Sequence, residues 1–262
     1  MRRAGVGTGE DVLRAEAVVK RFGGVAAVDG LSFAVRSGEI LGLVGPNGAG
    51  KTTMFDCLAG KERPTAGRIL FKGRAIEAVP AHRRAALGLG RTFQIPRPFG
   101  TLSVVENVML GAQRQRGEHL WPNWVMPGAV RRQETVLHEK AMDLLAFVSL
   151  AHLAREPARV LSGGQRKLLE LARVLMGEPT MLLLDEPAAG VNPALLDLII
   201  DRIAAIQARG ITVLLIEHNM DMVARLCSRV VVMAEGRLLA EGTPAAITAD
   251  PAVREAYLGQ AA

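Results

Sequence analysis

The chain has 262 residues, 49% hydrophobic, 22% charged and 4% aromatic, with a formal net charge of +6. That apolar content excludes a disordered or fibrous chain, and so few aromatic rings argue against a stacking platform for single-stranded nucleic acid. Two cysteines, Cys57 and Cys227, are too few for a disulfide framework or a four-cysteine zinc site, which favours a reducing compartment.

The basic residues are scattered. Arg83-Arg84 and Arg131-Arg132 are only pairs, so the positive balance reads as a solvated surface at least as readily as a partner for anions. No apolar run approaches the roughly 20 residues that cross a bilayer. The charged start Met1-Arg2-Arg3 is followed by polar and glycine residues, where a secretory signal needs an apolar stretch. The expectation is a soluble protein, made in the cytoplasm, that reaches a membrane only by docking.

In chain order, residues 13–73 read as strand-rich. Val18-Val19, the runs 25–28 and 31–35, and the run 69–71 are short and apolar or alternating, separated by glycine and charge. Ile40-Leu41-Gly42-Leu43-Val44 is a continuous apolar run opening into a glycine-rich turn, as a buried parallel strand does. Residues 52–58 can begin a helix behind that turn.

Residues 101–177 read as helical. Ser103 with Glu106 three residues on is a capping-box signature, and 139–150 carries apolar residues at helical spacing. Between them, residues 117–128 with Trp121, Trp124 and Pro127 read as a loop, with the tryptophans as a packed hinge before a docking surface. The final third alternates: apolar runs at 181–184, 212–216 and 230–233 are short buried strands, and 194–208 is a helix between the first two. Short apolar strands alternating with helices indicate a parallel α/β core, here interrupted by a helical insertion.

The strongest signal is Gly45-Pro46-Asn47-Gly48-Ala49-Gly50-Lys51-Thr52-Thr53, which fits G-x-x-x-x-G-K-[ST] between a buried strand and a helix. Glycines let the backbone curl so that successive N–H groups point at phosphate oxygens, and the helix N-terminus adds a favourable dipole. Lys51 would reach the β- and γ-phosphates of ATP, and Thr52 would offer its hydroxyl to Mg²⁺. The run 181–184 ends in Asp185-Glu186. In ATPases with such a loop a strand-end acid, here Asp185, holds Mg²⁺, and Glu186 could polarise the attacking water.

A second glycine motif, Leu161-Ser162-Gly163-Gly164-Gln165, precedes an amphipathic helix that Ser162 is placed to cap. Two phosphate-binding loops with only one lysine-bearing site suggest that each ATP is held by both loops, one supplied by a partner.

With these motifs in order, the sequence resembles an ATP-binding cassette (ABC) transporter ATPase. The order Lys51, Gln94, Ser162, Asp185, His218 matches throughout, and the resemblance covers nearly the whole chain. It implies an α/β P-loop NTPase core with a parallel sheet, an antiparallel β subdomain and an inserted α-helical subdomain. It further implies one ATPase domain over 13–262, with the helical subdomain at about 101–177 and a tail at 1–12.

By that resemblance Phe22 would lie against adenine, Gln94 would approach Mg²⁺ and the attacking water, and Glu186 would be the catalytic base. His218 would contact the γ-phosphate. Ser162, Gly163, Gly164 and Gln165 would act on the ATP of a second ABC ATPase, in a homodimer or, more in keeping with the group, a heterodimer. Transmembrane permease subunits would dock near residues 94–99, stiffened by Pro96 and Pro98. A periplasmic solute-binding protein would act indirectly, and the chain would sit at the cytoplasmic face of the inner membrane. After Pro187 the run Ala188-Ala189-Gly190-Val191-Asn192-Pro193 replaces the commoner Ser-Ala-Leu-Asp. That run, Arg91-Thr92-Phe93-Gln94, the Trp-containing insert, Glu217-His218-Asn219-Met220 and the ending Ala256-Tyr257-Leu258-Gly259 resemble the branched-chain amino acid importer group. Urea or amide uptake and lipopolysaccharide export ATPases are alternatives. A soluble nucleic-acid-acting ABC protein is a more distant one, as such proteins usually carry two cassettes or a long coiled-coil insertion, and no nucleic acid is expected as a partner. A non-hydrolysing module is disfavoured by Glu186, Gln94 and His218 together.

Overall fold

A computed structural model describes residues 10–92, 98–113 and 127–258. Two sheets organise them. The first is antiparallel, in the order β2-β1-β4-β5, with β1 Asp11–Phe22, β2 Val25–Arg36, β4 Ala66–Phe71 and β5 Arg74–Ala75. The second has the order β10-β9-β3-β8-β7-β6, built from β3 Ile40–Val44, β6 Leu89–Arg91, β7 Met181–Asp185, β8 Thr212–Ile216, β9 Arg229–Ala234 and β10 Arg237–Gly242. Its pairs are parallel except β9 with β10.

The continuous apolar runs of the central strands follow from burial on both faces. Alternate residues serve different cores. Ile40, Val44, Leu182, Leu184, Val213 and Leu215 pack on helices α5 Gly163–Met176, α6 Pro193–Ala208 and α7 Met220–Leu226. Leu41, Leu43, Leu183, Leu214 and Ile216 face α1 Lys51–Ala59 and the antiparallel sheet. The helical lobe, with α3 Val104–Met109, α4 Pro127–Phe147 and α5, joins the first of these cores. Helices α2 Ala81–Ala86, α8 Pro244–Ala249 and α9 Pro251–Leu258 complete the described elements.

Several expectations are corrected. The runs 25–28 and 31–35 form one strand, β2, in which Gly30 adopts φ 77° where the pairing register with β1 jumps. That glycine is a bulge, not a strand boundary. Strand β1 begins at Asp11, two residues before the expected boundary. Pro127 and Gly128 open α4 instead of closing a loop, since proline is tolerated in the first turn, where its missing N–H has no partner to lose. Leu150 lies beyond α4, whose last residue is Phe147. Trp121 and Trp124 lie outside the described residues. Strand β6 is too short, and edge strand β10 too exposed and charged, to leave an alternating pattern. The capping boxes at Ser103 and at Ser162 are both present.

Arg84 overturns the reading of its pair as solvated charge. It is 1% exposed, and its guanidinium donates to the carbonyls of Cys57 (2.6 Å), Leu58 (2.7 Å), Ile76 (2.5 Å), Val79 (2.7 Å) and Glu77 (3.3 Å). Cys57 and Leu58 lie in the last turn of α1, so Arg84 supplies a cation at the negative end of the helix behind the glycine-rich turn. Arg84→Met should destabilise the fold by about 3–5 kcal/mol, because several buried carbonyls lose their donor at once. Arg84→Lys should recover little of it, since an ammonium lacks the planar fork. Chemical denaturation midpoints measure both, and full recovery by lysine would refute the fork argument.

Candidate functional site

The glycine-rich turn joins β3 to α1 and is wedged between two strands. A Cβ on Gly45, at φ 150°, would lie 2.1 Å from the Met233 carbonyl oxygen at the end of β9. A Cβ on Gly50, at φ 94°, would lie 2.0 Å from the Ala27 carbonyl oxygen of β2. Only glycine fits either place. The turn is also stitched to the β9–β10 connection, where the Gly236 amide donates to the Ala49 carbonyl at 3.1 Å. Gly48, by contrast, faces open space beside exposed Asn47, and Pro46 is buried.

Lys51 is 5% exposed, and its ammonium donates to the Gly45 carbonyl (2.7 Å) and the Pro46 carbonyl (2.8 Å) across the turn. Burial lowers its pKa, while the charge of Glu186 works the other way. Thr52 is exposed and Thr53 half-buried on the first turn of α1.

Asp185 ends β7 and is 4% exposed. Its carboxylate accepts from the Arg91 guanidinium at 3.1 Å, and the same guanidinium is ion-paired with Asp56 of α1 at 2.6 Å. Burial raises the Asp185 pKa, and Arg91 opposes that rise. Glu186 follows in left-handed backbone, φ 47°, with its amide donating to the Ile216 carbonyl at the end of β8 (3.0 Å). His218, just past β8, places Nε2 3.0 Å from the Glu186 carboxylate. Adjacent parallel strands thus bring together two residues 32 apart in sequence.

Ser162, Gly163, Gly164 and Gln165 stand at the N-terminus of α5. The Gln165 amide donates to Ser162 Oγ at 3.3 Å, and the Ser162 amide donates to Gln165 Oε1 at 2.9 Å. Gly163 has open space where a side chain would be, so an anion can approach the amides there. Phe22 ends β1 and is 49% exposed, with the Lys20 ammonium 4.7 Å from its ring centre. It is no core phenylalanine: half its surface is exposed, and the ammonium lies over one face of the ring. Gln94, with Ile95 and Pro96, lies outside the described residues.

Four residues, Arg91, Lys167, Glu217 and Asn107, position the site without a role that the sequence assigned, although Arg91 and Glu217 stand in runs read for the family resemblance. Arg91 joins β6, α1 and β7 as described. Lys167 of α5 donates to the Glu186 carbonyl at 2.7 Å. Glu217, 3% exposed, accepts from the amides of Ala188 (2.6 Å), His218 (3.0 Å) and Asn219 (3.2 Å). Asn107, fully buried, accepts from the Phe99 amide (2.9 Å) and donates to the Phe99 carbonyl (3.0 Å), so the segment after Pro98 is pinned to α3. Their partners are backbone atoms or residues distant in sequence, which a residue pattern does not record. The departures Gly190 and Asn192 have local reasons: Gly190 sits at φ 68°, and Asn192 caps α6 by accepting from the Leu195 amide at 2.9 Å.

The donor set suits a nucleotide with a divalent cation. Among the described residues no three His, Cys, Asp or Glu converge on a metal site. The Asp185 carboxylate and the Thr52 hydroxyl are oxygen donors of the kind Mg²⁺ takes, one or two from a protein with phosphates and water supplying the rest. The cradle of 45–50, the buried strand-end acid and the Glu186–His218 pair define an ATP-binding cassette.

The ABC transporter family model matches residues 28–189, and a model described as "Branched-chain amino acid ATP-binding cassette transporter" matches 237–262. The chain is 40% identical to the high-affinity branched-chain amino acid transport ATP-binding protein BraF of Pseudomonas aeruginosa, covering 95% of this chain and 98% of that protein. It is 37% identical to the corresponding LivG of Escherichia coli, covering 96% and 99%. The crystal structure of the ADP conformation of MJ1267, an ATP-binding cassette of an ABC transporter, superposes with a TM-score of 0.83 at 36% identity, covering 95% and 99%. The chain belongs to the ABC transporter family and is an ATP-binding, ATP-hydrolysing cassette of it.

The wedge at Gly50 is directly testable. Gly50→Ala should weaken ATP binding at least about tenfold, because its Cβ collides with backbone that cannot yield. Gly48→Ala meets only the conformational penalty and should lose less. Fluorescent-nucleotide titration ranks the two, and equal losses would contradict a wedged turn.

Proposed function

We propose that this chain is the ATP-hydrolysing subunit of a membrane importer for branched-chain amino acids. The observation that carries the catalytic reading is the Glu186–His218 contact of 3.0 Å at the ends of the buried strands beside the Lys51 turn. The solute assignment is supported by the names of the relatives and by the match at 237–262. Among the described residues no helix is long and apolar enough to cross a membrane. The subunit would therefore be held at the cytoplasmic face of the inner membrane by transmembrane permease subunits, fed indirectly by a periplasmic solute-binding protein. It is one ABC ATPase domain, with the helical subdomain inserted in the core.

In this reading the amides of 45–50 hold the phosphates of ATP, and Lys51 turns its ammonium from the loop carbonyls to the β- and γ-phosphates. Phe22 stacks on adenine. Thr52, Asp185 and Gln94 hold Mg²⁺, which when bound neutralises phosphate charge. Glu186 accepts the proton of the attacking water, and His218 orients that carboxylate and donates toward the γ-phosphate. Ser162, Gly163, Gly164 and Gln165 offer the N-terminus of α5 to the nucleotide of a second ABC ATPase, identical or not, so each site is completed by its partner.

Glu186→Gln keeps size and removes the base. Hydrolysis should fall by about 10²–10⁴-fold, with ATP affinity retained. The uncleaved nucleotide should then hold an ATP-dependent dimer, and adding Ser162→Arg should abolish it. Steady-state ATPase assays and size-exclusion chromatography with ATP, with the partner ATPase present where one exists, read both effects. Undiminished hydrolysis in Glu186→Gln overturns the base assignment, and a dimer that survives Ser162→Arg overturns the shared site.

A further inference from the structure

Glu186 occupies left-handed backbone, which a non-glycine residue holds only at an energetic cost, so its surroundings must impose it. Three ties do so. The Glu186 amide donates to Ile216. The buried Glu217 carboxylate grips the Ala188 amide two residues on. The third tie comes from outside the sheet: Lys167, in the second turn of α5, donates to the Glu186 carbonyl at 2.7 Å. Lys167 is half-buried, and burial lowers its pKa, while the carboxylates of Glu217, Glu186, Asp185 and Glu170 oppose that fall. The 2.7 Å geometry makes its ammonium a strong donor to the Glu186 carbonyl. A small cavity of about 30 Å³, lined by Thr92, Lys167, Glu170 and Asp185 among others, leaves it room to shift.

The helix that carries Lys167 begins at the motif assigned above to the partner's nucleotide. Gly163 and Lys167 are four residues apart on one rigid α5, so a displacement of its N-terminus is carried to Lys167. We propose that Lys167 is a positioning residue that fixes the Glu186 peptide, and so couples engagement of α5 with the neighbouring ATP to placement of the base in its own subunit. This rests on Glu186 being the base. When α5 moves, the Lys167 tie moves with it, and the peptide that aims the Glu186 carboxylate at water moves in turn. In this proposal Lys167 contacts neither nucleotide nor water. It acts through the carbonyl it holds.

The test is a double-mutant cycle on the full-length chain, with rates expressed per nucleotide-binding site from stoichiometric ATP titration. Lys167→Met should lower kcat about tenfold or more and leave the ATP Kd within about twofold. Lys167→Arg, which keeps a charged donor, should recover most of the rate. In the Glu186→Gln background Lys167→Met should have less than a twofold further effect, because the group it positions is already gone. An equal fold-loss in both backgrounds would show a general structural role and overturn the proposal, as would an unchanged kcat in Lys167→Met alone. Should Lys167→Met fail to fold, Lys167→Gln carries the same cycle. Full activity of Glu186→Gln itself would instead refute the base assignment, so the two failures are distinguishable.

Discussion

The close approach of the 45–50 turn to the backbone of β2 and β9 is the constraint on which the rest of the site depends. Carbonyl oxygens of Ala27 and Met233 sit where side chains of Gly50 and Gly45 would otherwise be. The turn therefore has one conformation, fixed by two different sheets. Since β2 belongs to the antiparallel sheet and β9 to the parallel one, the cradle forms only when the two sheets have docked over the core that includes Leu41, Leu43 and Phe55. The geometry proposed to bind phosphate is thus a consequence of sheet packing, and amides so preorganised would need no rearrangement when charge arrives.

Behind the turn, buried charge does the positioning. Arg91 spans Asp56 and Asp185, Arg84 gathers the carbonyls at the end of α1, and Glu217 collects three amides from two loops. Such groups are costly to bury, and breaking one leaves an uncompensated partner. Their value lies in specificity of placement. Each fixes an element that carries proposed catalytic or binding groups. Helix α5 is bound into the same network through Lys167, while its apolar face, Leu168, Leu171 and Leu175 among others, lies in the core shared by the sheet and the helical lobe.

Much of the architecture was legible. The alternation of strands and helices, the glycine turn after β3 and the two capping boxes are local patterns with local causes, and each appears in the structure. The misreadings are equally physical. Gly30 looks like a break because its left-handed backbone is indistinguishable in sequence from a turn. Pro127 looks like a loop residue because proline serves a helix start as well as a loop. Phe22 could be read as core or as stacking face, and its 49% exposure decides against core. Arg84 reads as surface charge beside Arg83, and only the convergence of carbonyls from two segments, 57–58 and 76–79, reveals it as interior.

The sequence by itself determined the fold class, the family resemblance and the candidate chemical groups, because these follow from short-range periodicity and from contiguous motifs whose backbone needs are local. Which of those groups meet was decided by tertiary structure. His218 reaches Glu186 because β7 and β8 are parallel neighbours whose ends lie side by side. Arg91 reaches Asp185 because β6 pairs with β7, and Lys167 reaches the Glu186 carbonyl because α5 packs against that sheet. These contacts depend on strand order and helix docking, which are set by burial of apolar faces across the whole chain.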